Sequence, residues 1–281
     1  MTRSPRRVSL GDVVAAATRS LERRRRVTPR AEVERAASRR MPRGQAFLAA
    51  LSDGGPAAIV AECKRRSPSK GLLRDAYDPA AIARSYEQAG AAAVSVLTEE
   101  HHFGGSMAHL SGVRAATTLP VLRKDFVVDE YQLDEARAGG ADAVLLIAAI
   151  LEVERLQQFL RLARSLGLAA LVEAHDERDL DRALDAGARI VGVNNRDLRT
   201  MQVDLRAAER LAARLPAGTV AVAESGIGSR SDVDRLRQFG YHAFLVGERL
   251  MTAADPGAAL RELLAGGDVE RPNSADRKNG Q

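Results

Sequence analysis

Glu62 and Lys64 stand two positions apart at the end of the apolar run Ala57-Ala58-Ile59-Val60-Ala61. Side chains alternate faces along a strand, so both project to one side and Cys63 to the other. A carboxylate and an ammonium on one face of a strand end can hold and move protons. The segment that follows, Ser67-Pro68-Ser69-Lys70-Gly71, breaks the strand, because Pro68 lacks an N–H and Gly71 favours a turn. It reads as a loop offering hydroxyls and positive charge.

The same arrangement recurs past other apolar runs. Thr98 and Glu99 precede a loop with Phe103-Gly104-Gly105-Ser106; Lys124 and Phe126 share one face, with Asp125 on the other; Glu173 closes a later run. Asn194 and Arg196 lie in Val-Asn-Asn-Arg-Asp-Leu, and Glu224-Ser225-Gly226 and Gly247-Glu248 end the last two runs. Two acids, Glu62 and Glu173, and two lysines, Lys64 and Lys124, in one cavity would perturb each other's ionisation, which is how general acids and bases are tuned near neutrality. Ser225-Gly226-Ile227-Gly228 and Val246-Gly247 are of another kind: they expose backbone N–H groups suited to a phosphate. No glycine pattern is a P-loop. His101, His102, His109 and His242 have no partners at ligand spacing, so no metal site is expected. His175 falls on the same face as Glu173, where it either supports that carboxylate from behind or is a packed or solvated histidine, the reading favoured here.

These residues need a scaffold that gathers strand ends. Eight apolar runs occur, at Ala57 to Ala61, Ala92 to Leu97, Pro120 to Leu122, Ala143 to Ile147, Ala169 to Val172, Ile190 to Val193, Thr219 to Ala223 and Ala243 to Val246. Amphipathic segments of helical length separate them. Short strands with little polar alternation imply burial on both faces, as in parallel sheets of βαβ units. Eight such units in about 210 residues suit a (β/α)8 barrel, and a doubly wound open sheet satisfies the same periodicity. Ala89-Gly90-Ala91, Gly139-Gly140-Ala141 and Ala186-Gly187-Ala188 are read as helix stops at the end opposite the chemistry.

The chain has 281 residues, 45% of them hydrophobic and 28% charged, the balance of a soluble protein, and no apolar run approaches the ~20 residues of a membrane span. Neither a secretory signal nor, with one cysteine, an internal disulfide is expected, which suits the cytoplasm. The net charge of +5 is uneven: residues 1 to 44 carry +9 and the remainder −4. Arg23-Arg24-Arg25-Arg26 is therefore read as a solvated helix face and not as a nucleic-acid or membrane patch, since aromatic residues for stacking are absent there. Three helices are expected before the first strand: Ser9 to about Arg26, Ala31 to Arg39, and one containing Phe47, Leu48 and Leu51. The expected division is a helical extension at 1–46 on the barrel mouth, a catalytic barrel at 47–267 and a disordered polar tail at 268–281.

With these residues in place, the chain resembles indole-3-glycerol phosphate synthase over residues 9 to 265. The resemblance rests on Ile59 to Gly71, Ser95 to Glu99 with Phe103-Gly-Gly-Ser, Leu122-Arg-Lys-Asp-Phe126, Val172-Glu-Ala-His175, Gly192 to Leu198 and Ala223-Glu-Ser-Gly226. It implies a TIM barrel with an N-terminal helical extension that closes the pyrrole ring of 1-(2-carboxyphenylamino)-1-deoxyribulose 5-phosphate, losing CO2 and water without a cofactor. By the same resemblance, Lys124 is the general acid for ring closure and Lys64 contacts substrate anions and assists. Glu173 acts in dehydration, while Glu62 and Asn194 orient groups around it. Ser67, Pro68, Phe103, Phe126, Arg196, Leu198 and Glu224 surround the substrate, and Ser225, Gly226, Gly247 and Glu248 hold its phosphate. Glu248 departs from members with serine there, which puts a phosphate contact from its side chain in question. The implied partner is a small anionic molecule, with no metal, nucleic acid or membrane, bound by a monomer or weak homodimer. Two rivals remain at this stage: phosphoribosylanthranilate isomerase, which lacks the Ser-Pro-Ser-Lys loop and the paired lysines, and a catalytically inactive barrel serving as a binding or scaffold protein.

Overall fold

Alternate residues of the strands face two different cores. The computed structural model describes residues 8–41, 43–53, 55, 57–197 and 202–265. Within them, eight parallel strands close into a barrel: β1 (Ala58–Cys63), β2 (Ala93–Leu97), β3 (Val121–Lys124), β4 (Ala143–Ile147), β5 (Ala169–Ala174), β6 (Ile190–Asn194), β7 (Val220–Glu224) and β8 (Ala243–Val246). Closure follows from β1 pairing with both β8, Ala58 opposite Ala243, and β2, Val60 opposite Ala93. The open-sheet alternative is thereby excluded, and the barrel leaves no exposed edge.

Ile59, Ala61 and Cys63 point outward into the main core with Ile82, Ala83 and Tyr86 of α4 (Pro79–Ala89). Ala58, Val60, Leu122, Leu145, Leu171, Val222 and Leu245 point inward. Their neighbours two residues on, Glu62, Lys124, Glu173 and Glu224, carry the inward face from apolar to ionic at the carboxyl ends of the strands, where barrel enzymes place chemistry. The opposite end is stoppered by α3 (Gly44–Ser52), whose Phe47 and Leu51 are fully buried in the inner core. A methyl group on Gly44 would collide with the backbone at Gly167 to Ala169, so this plug needs a glycine at its first turn. α3 thus runs across the 46/47 division drawn from sequence. The expected tail at 268–281 lies outside the described residues.

The remaining helices alternate with the strands: α5 (Met107–Ala116), α6 (Tyr131–Ala138), α7 (Val153–Ser165), α8 (Glu177–Asp185), α9 (Arg206–Ala212), α10 (Arg230–Gln238), the short α11 (Glu248–Met251) and α12 (Pro256–Leu264). Helices α1 (Leu10–Val27) and α2 (Arg30–Ser38) precede α3, and Ser9 opens α1 with a reciprocal capping box to Asp12. No described helix is long and apolar enough to cross a membrane.

Of the arginine run in α1, Arg23, Arg25 and Arg26 are exposed, as the sequence suggests, and Arg24 is half-buried, but three of the four are ion-paired to the barrel. Arg23 pairs with Glu100; Arg24 makes a two-pronged contact with Glu135, at 2.7 and 3.0 Å; and Arg25 reaches Asp129 at 3.2 Å. The positive arm is held on the negative barrel by opposite charge.

Candidate active site

Lys124 ends β3 with its ammonium between two carboxylates, 2.9 Å from Glu173 and 3.2 Å from Glu224. A second pair, Lys64 to Glu62, closes at 2.7 Å. The two acids on Lys124 are in different states. Burial raises the pKa of Glu173, but Lys124 and His175 outweigh it and hold the carboxylate well below the usual range. Burial pushes Glu224 up, and the neighbouring charge of Glu173 adds to this against the pull of Lys124. Burial also opposes the charge on Lys124, yet Glu173, Glu224 and Glu62 together raise its pKa. One ammonium in contact with two carboxyl groups, one pushed down and the other up, forms a set whose proton affinities have been driven apart, the condition for acid and base to act in one place.

Small residues make room for the acids. A methyl group on Gly192 would fall on Glu224 Oε1, and one on Gly247 would fall on Glu62 Oε1. Glu224 Oε1 lies buried against Gly192 with no hydrogen-bond partner among the described residues.

These groups line one cavity of about 550 Å³ at the carboxyl end of the barrel. On one side Phe103 and Phe126 pack against each other obliquely, ring centroids 6.1 Å apart, and with Pro68 and Ser67 they form an apolar wall of the cavity. The Phe103 loop is shaped by Glu99, whose carboxylate accepts the N–H groups of His101, His102 and Phe103. Ser67 lies in a short hairpin, Arg66–Ser67 against Gly71–Leu72, and its Oγ accepts the N–H of Lys70 at 3.2 Å. On the other side the chain turns sharply at Ser225, φ 63°, and Gly226, φ 80°. A left-handed serine is strained. Asn195 holds it, donating from Nδ2 to the carbonyls of Glu224 at 3.0 Å and Ser225 at 3.1 Å. Gly247 and the start of α11 complete that wall.

Asn194 faces the cavity and its Oδ1 accepts the N–H of Arg196 at 3.0 Å. The Glu248 carboxylate lies between Lys70, at 2.8 Å, and Arg196, at 3.4 Å. The structure therefore brings Glu62, Lys64, Ser67, Pro68, Phe103, Lys124, Phe126, Glu173, Asn194, Arg196, Glu224, Ser225, Gly226, Gly247 and Glu248 to one cavity. Leu198 lies outside the described residues.

Two residues gain roles that sequence reading did not assign, and a third, His175, takes the role that it ranked second. Lys70 lines the cavity beside Glu248. Asn195 braces the Ser225 turn, and the Asn-Asn pair in a strand end was the available signal, one side chain for each face. His175, read as packed or solvated, touches Glu173 at 3.2 Å. Thr98 and Asp125 belong to the scaffold: Asp125 accepts from Thr98 at 2.6 Å and from the fully buried Arg123 at 2.9 Å, behind Lys124.

A closed (β/α)8 barrel with acid–base pairs in a cavity at the carboxyl ends of its strands defines the class: a barrel enzyme equipped to move protons on a small molecule. Within that class the chain belongs to the indole-3-glycerol phosphate synthase family, whose model matches residues 10–263. It is 51% identical over 255 residues to indole-3-glycerol phosphate synthase 2 of Streptomyces coelicolor, covering 91% of this chain and 98% of the relative. It is 54% identical over 210 residues to the indole-3-glycerol phosphate synthase of a Parafrankia species, covering 75% and 78%. Among solved structures, thiamine phosphate pyrophosphorylase from Pyrococcus furiosus superposes with a TM-score of 0.57 at 17% identity, over 74% of this chain and 94% of that one, a likeness of fold alone.

Proposed function

We propose that the protein converts 1-(2-carboxyphenylamino)-1-deoxyribulose 5-phosphate to indole-3-glycerol phosphate, releasing CO2 and water, as a step of tryptophan biosynthesis. The observation that carries this reading is the meeting of the Lys124–Glu173–Glu224 and Lys64–Glu62 groups with the Phe103–Phe126 pair and the Ser225–Gly226 and Gly247 turns in one cavity. The substrate's aryl ring lies against the wall made by Phe103, Phe126 and Pro68, and its phosphate meets Ser225, Gly226, Gly247 and the N–H of Glu248. Lys64 and Arg196 face the carboxylate, with Ser67 beside them.

Lys124, kept protonated by its acid neighbours, donates to the ketone oxygen as the aryl carbon attacks, so the alkoxide never forms free. The ring then carries positive charge next to the carboxylate, and loss of CO2 restores aromaticity. Dehydration follows, with Glu173 taking a proton and Lys64 assisting departure of water; Glu62 and Asn194 orient these groups. Every step uses side chains of this chain, without a cofactor. The protein acts in the cytoplasm as a monomer or weak homodimer, which sedimentation at micromolar concentration tests.

Purified protein mixed with the ribulose phosphate is expected to give the growing fluorescence of an indole, abolished by Lys124→Ala. A silent trace from folded wild-type protein refutes the reading.

A further inference from the structure

We propose that His175 is a positioning residue for this reaction: charged, and held between Asp179 and Glu173, it fixes the Glu173 carboxylate with one oxygen turned to Lys124. The inference rests on the function proposed above and adds a residue outside the cavity. Beyond the end of β5 the alternation that turns Glu173 inward returns at His175, whose side chain is 11% exposed. Its Nδ1 is hydrogen-bonded to Asp179 Oδ2 at 3.3 Å, and its Nε2 lies 3.2 Å from Glu173 Oε1, a charge contact without hydrogen-bond alignment. The other oxygen of Glu173, Oε2, accepts from Lys124 at 2.9 Å. The two oxygens of Glu173 thus have separate cationic partners.

A neutral imidazole has one N–H and one lone pair, so with both nitrogens beside carboxylate oxygens it would set a lone pair against one of those negative charges. Only the imidazolium can face both. Asp179 is placed independently of the site: its N–H donates to Asp176 Oδ1 at 2.9 Å in the first turn of α8, and its Oδ2 accepts the N–H of His175 at 3.3 Å. The charged groups around the ring are Glu173 from β5, Asp179 from α8 and, beyond Glu173, Lys124 from β3; the adjacent turn Ala148–Ile150 brings none. Burial opposes a charge on His175, but the two carboxylates prevail and push it up to about 10. Charges alternate along Asp179, His175, Glu173 and Lys124. Removing the imidazolium leaves Glu173 with one cation and one loose oxygen, so its proton affinity rises and its aim degrades.

Two measurements test this. In wild-type protein labelled with 15N-histidine, the ring assigned by its loss in His175→Asn is expected to show both nitrogens protonated at pH 8. In Glu173→Gln its titration is expected to fall by about one pH unit or more. A neutral ring at pH 7, or a titration indifferent to Glu173→Gln, overturns the proposal even if the protein turns over no substrate. For kinetics, His175→Asn and Asp179→Asn are each expected to lower kcat about tenfold, to leave KM within about twofold, and to move the acid limb of kcat/KM up by about one unit. An unchanged acid limb in folded variants means that His175 is structural only, and refutes the assignment. A wild-type protein without activity would instead refute the function, leaving the spectra to decide on His175.

Discussion

A single lysine shared by two buried acids is a balance that one substitution can tip. The Lys124→Met variant keeps the volume of the side chain but removes the proton donor and leaves Glu173 and Glu224 facing each other. Loss of general acid catalysis predicts a fall in kcat of about a thousandfold, read from indole fluorescence under saturating substrate. A fall of less than about tenfold would show that another group delivers the proton. Glu224 makes a prediction about stability. Its pKa stands at about 8 in the folded protein against 4.5 as its ordinary value, so the folded state binds the proton more tightly than the unfolded one. The resulting stability is fully present below 4.5 and is lost as pH rises through about 8. Glu224→Gln imitates the neutral acid at every pH. Thermal unfolding between pH 5 and 9 should therefore show the wild type weakening relative to Glu224→Gln toward the alkaline end. Parallel curves would mean that Glu224 is ionised throughout.

Strands place these groups, and two glycines set how closely the strands may carry them. Gly192 in β6 lies across from Glu173 and against Glu224 Oε1. Gly192→Ala must push the Glu224 carboxyl out of place, an overpacking that costs about 1–3 kcal/mol, measured by urea unfolding, with a matching loss of kcat. Unaltered stability and turnover would show that Glu224 is free to move aside. Much of this element-level order could be read from sequence. The period-two alternation put Glu62 and Lys64 on one face and Cys63 on the other, and the structure has Cys63 buried among outward-facing residues of β1 and α4. The expected strands at Ala143 to Ile147 and Ala243 to Val246 match the observed ends. Elsewhere the drawn limits stop short where charge begins: the run ending at Leu122 continues through Arg123 to Lys124, because paired acids make burial of those cations tolerable. The two-residue hairpin strands around Pro68 and the four-residue α11 are too short to leave a periodic signal. Nor does a local pattern announce that His175 meets Asp179, or that Asn195 reaches the Ser225 turn, since those roles exist only once distant strands are side by side.

At the scale of the whole molecule, the uneven charge of the chain is an assembly device. The N-terminal arginines meet acids of the barrel: Arg23 with Glu100, Arg25 with Asp129 and Arg30 with Glu130 at partly exposed positions, and Arg24 with Glu135 deeper in. Glu135 also faces Arg123, at 3.3 Å, and Arg123 is wholly buried, donating to the carbonyl of Gln132 at 2.7 Å and to Asp125 at 2.9 Å. The arm is thus joined through α6 to the strand that ends in Lys124. Exposed pairs contribute little, whereas a buried cation that loses its anion is costly. Glu135→Gln, which removes an anion from buried Arg123, should therefore cost about 3 kcal/mol, and Arg24→Ala, which leaves Glu135 with Arg123, about 1 kcal/mol. The double variant should cost less than the sum, because both changes act on one network. Because Arg123 is the residue before Lys124, Glu135→Gln should also lower kcat with KM little changed. Urea unfolding of the four proteins in low and high salt checks the order. Equal and salt-sensitive losses would mean that the arm is held by exposed charges alone, and that the position of Lys124 owes nothing to it.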